Sequence, residues 1–181
     1  RFHAEYHVFD IITDLLSNGR SSRFIQTLVQ EKKLFTSIDA YISGSLDEGL
    51  LHITGKPASG ITLEQAEEAV WQELDKLKTI PVAEEELEKV KNRYESEQIF
   101  NNINYLNVAT NLAFFELLGH AEDINLEVGK YRSVTVGQIQ DTACRTFVPE
   151  NCNILYYKAI KLSQSHYRAL LSLAFLLSSG R

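Results

Sequence analysis

Residues 15–35, LLSNGRSSRFIQTLVQEKKLF, decide how this chain folds. An apolar-periodic segment runs into Asn18-Gly19, a helix stop, because glycine enters the left-handed conformation without a Cβ clash. Ser21 and Ser22 then offer N-cap hydroxyls for a second helix with Phe24, Ile25, Leu28 and Val29 on one face. Arg20 and Arg23 bracket that cap. Cations and hydroxyls at a helix start are the makings of an anion site. Against the chain as a whole, Asn18 to Phe24 reads instead as the turn that sets two helices against a sheet, with Arg20 and Arg23 placed for domain contacts.

Upstream, Phe2 to Leu16 reads as an amphipathic helix with Val8, Phe9, Ile11, Ile12, Leu15 and Leu16 on its apolar stripe. His3 and His7 are four apart and share a helix face, which is zinc-ligand spacing. Glu5 between them, however, lies two residues after the first histidine. Zinc-protease helices carry the glutamate one or three residues after it, so the pair reads as two ordinary histidines at an exposed helix start.

Downstream, Leu34 to Ile42 and Leu50 to Thr54 are rich in β-branched and aromatic residues, with turn residues between them, and read as an antiparallel hairpin. Gly55-Lys56-Pro57 and Ser59-Gly60 read as the turn that ends it, and match neither a P-loop nor a dinucleotide fingerprint. Thr62-Leu63-Glu64-Gln65 is a capping box that starts a helix to about Lys78, with Leu63, Ala66, Val70, Leu74 and Leu77 facing inward. After Pro81, Glu84, Glu85 and Glu86 fill the first turn of a long helix, where its dipole favours acidic charge. Adjacent carboxylates on a helix diverge, so this is a solvated helix start rather than a cation site. Asn101 to Asn104 marks a break. Apolar periodicity resumes through Leu106, Ala109, Leu112, Ala113, Phe115 and Leu117 until Gly119. Val134-Thr135-Val136 opens a helix to about Phe147, and NILYYK (153–158) reads as a closing strand. The order predicts an α+β fold of two layers, helices packed on one face of a mainly antiparallel sheet.

Composition narrows the function classes. The chain has 181 residues, is 44% hydrophobic and 23% charged, and is therefore of ordinary globular make-up. A net charge of −6 without a basic run argues against a nucleic-acid partner. Cys144 and Cys152 form neither a disulfide framework nor a zinc pattern and read as buried thiols. The chain opens on Arg1-Phe2-His3 and contains no methionine, so it reads as a soluble fragment or processed piece of a longer protein. Residues 1–160 read as one domain. Residues 161–181 read as an apolar tail, either a helix docking on the domain or on a partner or sequence foreign to the protein, because ALLSLAFLL (169–177) fits none of the expected elements. At nine residues this stretch is too short for a membrane span, which needs ~20.

The ordered series LLSNGRSSRFIQTLVQEKKLFTSIDAYISGSLDEGLLHITGKP, a capped helix, EEELEKVKNRYES, and VTVGQIQDTACRTFVPENCNILYY resembles the pitrilysin and mitochondrial-processing-peptidase family of zinc metallopeptidases. It resembles the second, C-terminal-type domain of a half-unit, from about Tyr6 to Tyr157; domains of that type begin with strands, so the resemblance implies that the first strands are lacking here. Asn18 to Phe24 and Asp47 to Leu50 carry the match. The resemblance implies a clamshell of paired α+β domains around a chamber that degrades or processes peptides. Zinc would be held by H-x-x-E-H and a later glutamate in a companion domain, and this chain has no H-x-x-E-H. No metal ligand or catalytic residue is therefore assigned here.

Some family members place a substrate-holding arginine and tyrosine in a domain of this type. Leu51 and Ala58 stand near those positions here. That departure favours a non-catalytic domain forming chamber wall and domain interface, in a parent that is a zinc metalloendopeptidase. His52 and Lys56 are the nearby side chains that could touch a peptide. Expected partners are a zinc-bearing companion domain or subunit, a peptide substrate within the chamber, and a second copy pairing along an exposed sheet edge. The alternative is a scaffold or assembly subunit without proteolytic activity, like the respiratory-complex core proteins that resemble this family.

Overall fold

The computed structural model describes residues 5–43, 49–158 and 169–176. His3, His166 and the turn residues Gly44 to Glu48 lie outside the described residues. Helix α1 (Tyr6–Ser17) buries Val8, Ile11, Ile12, Leu15 and Leu16 along one stripe. It ends as its sequence dictates: Gly19 takes φ +96°, a conformation that spares glycine the usual Cβ clash.

The following helical segment differs from the expected one. Ile25–Glu31 is a π-helix, with i→i+5 bonds such as Lys32 N–H to Thr27 O at 2.9 Å. Neither serine caps it. Ser22 Oγ donates back to Gly19 O at 2.7 Å, and Ser21 Oγ takes the Lys89 ammonium. Phe24 and Leu28 are nonetheless fully buried, so the apolar stripe rather than the cap fixes the segment.

Strands β1 (Phe35–Ser43) and β2 (Leu50–Pro57) form the expected antiparallel hairpin. The second strand is longer than predicted, because Gly55 and Lys56 are strand residues and not a turn. A Cβ at Gly55 would lie 2.5 Å from a ring carbon of Phe35, so the close approach of that ring explains the glycine. Gly60, at φ +87°, is the turn glycine.

Helix α2 (Leu63–Thr79) starts with the predicted capping box, Gln65 N–H to Thr62 Oγ1 and Thr62 N–H to Gln65 Oε1. Helix α3 (Glu84–Asn101), the break at 102–104 and α4 (Tyr105–Leu118) follow as read, with Asn104 capping α4. A 3-10 segment (Ala121–Leu126) and α5 (Glu127–Ser133) were not anticipated. Helix α6 (Val136–Thr146) opens on a second capping box, Thr135 with Gln138.

The sheet is closed by β3 (Cys152–Lys158) and β4 (Ala169–Leu176), in the order β1-β2-β4-β3 with every pair antiparallel. Here the structure corrects the sequence. The apolar stretch set apart as a tail supplies an inner strand of the sheet, so residue 160 does not mark the sheet's limit; residues 161–168 and 177–181 lie outside the described residues. Its apolarity has a plain cause. Leu171, Leu173 and Phe175 point into the core against Gly55, Ile53 and Leu51. Phe175 meets Trp71 and Phe147 edge-on, at 5.6 and 5.1 Å between ring centres. Helices cover one face of the sheet, and the architecture is the two-layer α+β fold expected. No helix among the described residues is long and apolar enough to cross a membrane.

Candidate functional site

Alternation along β2 sorts its side chains by face. Leu51, Ile53, Gly55 and Pro57 are buried under the helices, while His52, Thr54 and Lys56 stand on the opposite face. The two candidate peptide contacts, His52 and Lys56, therefore share one face, two pleats apart. Cross-strand pairing extends each position into a row. Tyr41, His52, Ala174 and Asn153 lie abreast across the four strands, and Asp39, Thr54, Ser172 and Leu155 form the next row.

His52 is held rather than loose. Its ring stacks on Tyr41 at 5.1 Å with 18° between planes, and its Nε2 lies 2.7 Å from Ser43 Oγ. Lys56 is exposed. This face offers aromatic surface, hydroxyls and a cation to an extended chain, with two small residues, Ser172 and Ala174, on its inner strand.

The turn at 18–24 forms a second concavity against α3, a cleft of about 360 Å³ lined by Asp14, Asn18, Ser22, Glu86, Lys89 and Arg93 among others. Several of its charges already have partners. Arg93 pairs with Asp14 at 2.7 Å and donates to Asn18 O, an orphan carbonyl at the end of α1. Arg23 grips Glu86 with both arms of its guanidinium, at 2.9 and 2.8 Å, and its side chain is only 19% exposed. The arginine thus ties the turn to the acidic first turn of α3, giving Glu86 a partner that sequence reasoning missed. Arg20 is exposed beside it.

His7 is a further correction. Expected at an exposed helix start, it is 7% exposed and donates from Nε2 to Glu127 Oε2 at 3.3 Å. Tyr131 meets its ring edge-on at 4.8 Å and hydrogen-bonds Asp10. Burial would raise the Glu127 pKa, but hydrogen bonds from His7 and from Lys130 (2.8 Å) outweigh it and hold the carboxyl at about 2. The pairing joins α1 to α5, an element the sequence did not announce. Among the described residues no cluster of three or more His, Cys, Asp or Glu side chains could hold a metal ion. The two cysteines differ from expectation in part: Cys144 is exposed, and Cys152 is half-buried with its thiol pushed up to about 12 by burial.

Comparison with known proteins fits this arrangement. No curated protein sequence matches the chain. Among solved structures, a protease from Helicobacter pylori superposes with a TM-score of 0.73 at 23% identity, covering 80% of this chain and 35% of that one. The inactive peptidase domain of a candidate zinc protease from Bordetella parapertussis superposes with a TM-score of 0.72 at 20% identity, covering 83% and 81%. A chain of Complex III2 from Candida albicans, in a structure with Inz-5 bound, gives 0.66 at 17% identity, covering 80% and 36%. The chain thus spans about a third of the Helicobacter protein's length, and at these identities the likeness shows the fold alone. The sequence itself matches the family model for the peptidase M16 inactive domain over residues 2–94, just over half of the chain. This chain belongs to the peptidase M16 family, as a domain of its inactive type.

Proposed function

We propose that the chain is a non-catalytic domain of a zinc-dependent M16 peptidase, forming chamber wall and domain interface around a peptide substrate. The open face of the sheet carries this reading: His52, Thr54 and Lys56 stand on a surface that the helices leave uncovered. Zinc belongs to a companion domain or subunit, where a glutamate would act as base on metal-bound water. His52 and Lys56 touch the peptide away from the reacting atoms, and the exposed Arg20, with Arg23 beside it, faces the companion.

The test compares the purified chain with its parent enzyme. The chain alone binds no stoichiometric zinc and hydrolyses no peptide. In the parent, His52→Ala and Lys56→Ala raise KM and leave kcat unchanged, the pattern of a contact made equally in ground and transition states. One tightly bound zinc per isolated chain, lost on His7→Ala, would overturn the reading.

The fold shared with a Complex III2 chain supports a scaffold role as the second reading. A parent without H-x-x-E-H in any companion domain or subunit decides for it. A second copy pairing along the edge strand β3, whose Leu155 and Tyr157 are exposed, would give dimers. Sedimentation that stays monomeric across a wide concentration range excludes that pairing.

A further inference from the structure

Helix α4 packs chiefly on the 3-10 segment at 121–126, and of its fourteen residues Phe115 alone is buried. The periodicity legible in its sequence describes a stripe turned to solvent: Leu106, Ala109, Ala113 and Leu117 follow one another at spacings of three and four, with Leu112 flanking them. Leu106 is 72% exposed, Leu117 68% and Tyr105, at the head of the helix, 90%. Phe100 and Ile103 extend the same apolar surface through the break before α4. Single exposed leucines need no explanation, but a run of this length on one helix marks an interaction surface.

The segment that carries the stripe, residues 94–129, has charges of one sign. No Lys or Arg occurs between Arg93 and Lys130, whereas Glu97, Glu116, Glu122 and Asp123 fall in that interval and are exposed or half-exposed. We propose that the exposed face of α4 is a docking site for a protein partner whose contact surface is apolar at its centre and rimmed by Lys and Arg. Apolar contact supplies the affinity, and the acidic rim selects and orients the partner. The same rim argues against the other occupants. A second copy meeting this face across a two-fold axis would bring two acidic rims together, with no Lys or Arg between residues 94 and 129 to answer them. An anionic membrane surface would be repelled.

The probe is a synthetic 18-residue helical peptide with a leucine stripe flanked by Lys and Arg. Its controls are a twin with Glu in place of every cation and a scrambled isomer of identical composition. Binding to the full chain is followed by fluorescence anisotropy at low and high salt. The proposal expects the basic amphipathic peptide alone to bind. It expects Leu106→Asp or Leu117→Asp to weaken it by ~tenfold, about what one well-packed leucine is worth. The pair Glu116→Lys with Glu122→Lys weakens it as well, and shifts preference towards the Glu twin. Both leucines are exposed, so unchanged circular dichroism is expected of every variant, and the rim variants test the proposal independently should a leucine variant misfold. Equal binding of the scrambled peptide, absence of binding to the wild-type chain, or self-association abolished by Leu106→Asp would each overturn it, the last by assigning the face to a second copy.

Discussion

Gly55→Ala is the substitution whose cost follows most directly from the geometry. Gly55 lies on β2 opposite Ile38 of β1 and Leu171 of β4. An added Cβ would stand 2.5 and 2.8 Å from two ring carbons of Phe35 and 3.5 Å from Ile38 Cγ1. Phe35 is only 2% exposed, so its ring turns away only by leaving its preferred rotamer or by shifting the start of β1. Overpacking of this kind costs about 1–3 kcal/mol. Replacing glycine within a strand returns roughly 0.5–1 kcal/mol. Contacts under 3 Å to a buried ring put this case in the upper part of the overpacking range, about 2–3 kcal/mol, so the net loss is about 1–2.5 kcal/mol. Urea denaturation of Gly55→Ala, Phe35→Leu and the double variant reads the contact as a coupling energy. Trimming the ring removes the clash, so the double variant is more stable than additivity predicts, by about 1 kcal/mol. Gly55→Ala within ~0.5 kcal/mol of wild type, or strict additivity, would refute the close approach as the reason for the glycine.

Two further predictions concern charges that sequence alone left unpartnered. The Arg23–Glu86 pair is bidentate and partly buried, so a double-mutant cycle gives a coupling of about 1 kcal/mol, at the upper end for partly exposed pairs. Arg23→Lys recovers only part of it because the fork is lost, and zero coupling rejects the pair as a structural tie. Glu127, whose pKa is depressed to about 2, contributes stability that is fully present above pH 4.5 and lost as the pH falls towards 2. Allowing for screening at the Lys130 end, whose side chain is 45% exposed, that contribution is ~1–2 kcal/mol. Glu127→Gln is accordingly less stable than wild type at neutral pH, and the gap narrows between pH 4.5 and 2. A gap independent of pH would show that the carboxylate's charge contributes nothing.

Local rules made most of the fold legible. The capping box at Thr62, the Gly19 stop, hairpin composition and the break at 101–104 each depend on a few neighbouring residues, and each element they announce is present. What escaped depended on distant partners. ALLSLAFLL is apolar at nearly every position, so periodicity could not declare it a strand; its place is set by a slot between β2 and β3 that only the folded sheet possesses. His7 looked exposed because its partner, Glu127, is 120 residues away on a helix of seven residues with little periodicity to read. Gly55 looked like a turn because its reason is the Phe35 ring, twenty residues earlier.

The same distinction bears on where function lies. Arg23 and Arg93 converge on the turn that carries the family resemblance, where Arg23 beside the serine hydroxyls has the makings of an anion site. Glu86 and Asp14 already neutralise them, and Arg93 also donates from Nη1 to Asn18 O. Recruiting either arginine to a substrate would strip a partner from a partly buried charge, at a cost a weak peptide contact could not offset. The turn is therefore a joint between α1 and α3. Capacity for recognition is left where side chains remain accessible without breaking the fold: the exposed Arg20 at the rim of the turn, the His52–Lys56 face of the sheet, and the solvent-facing stripe of α4.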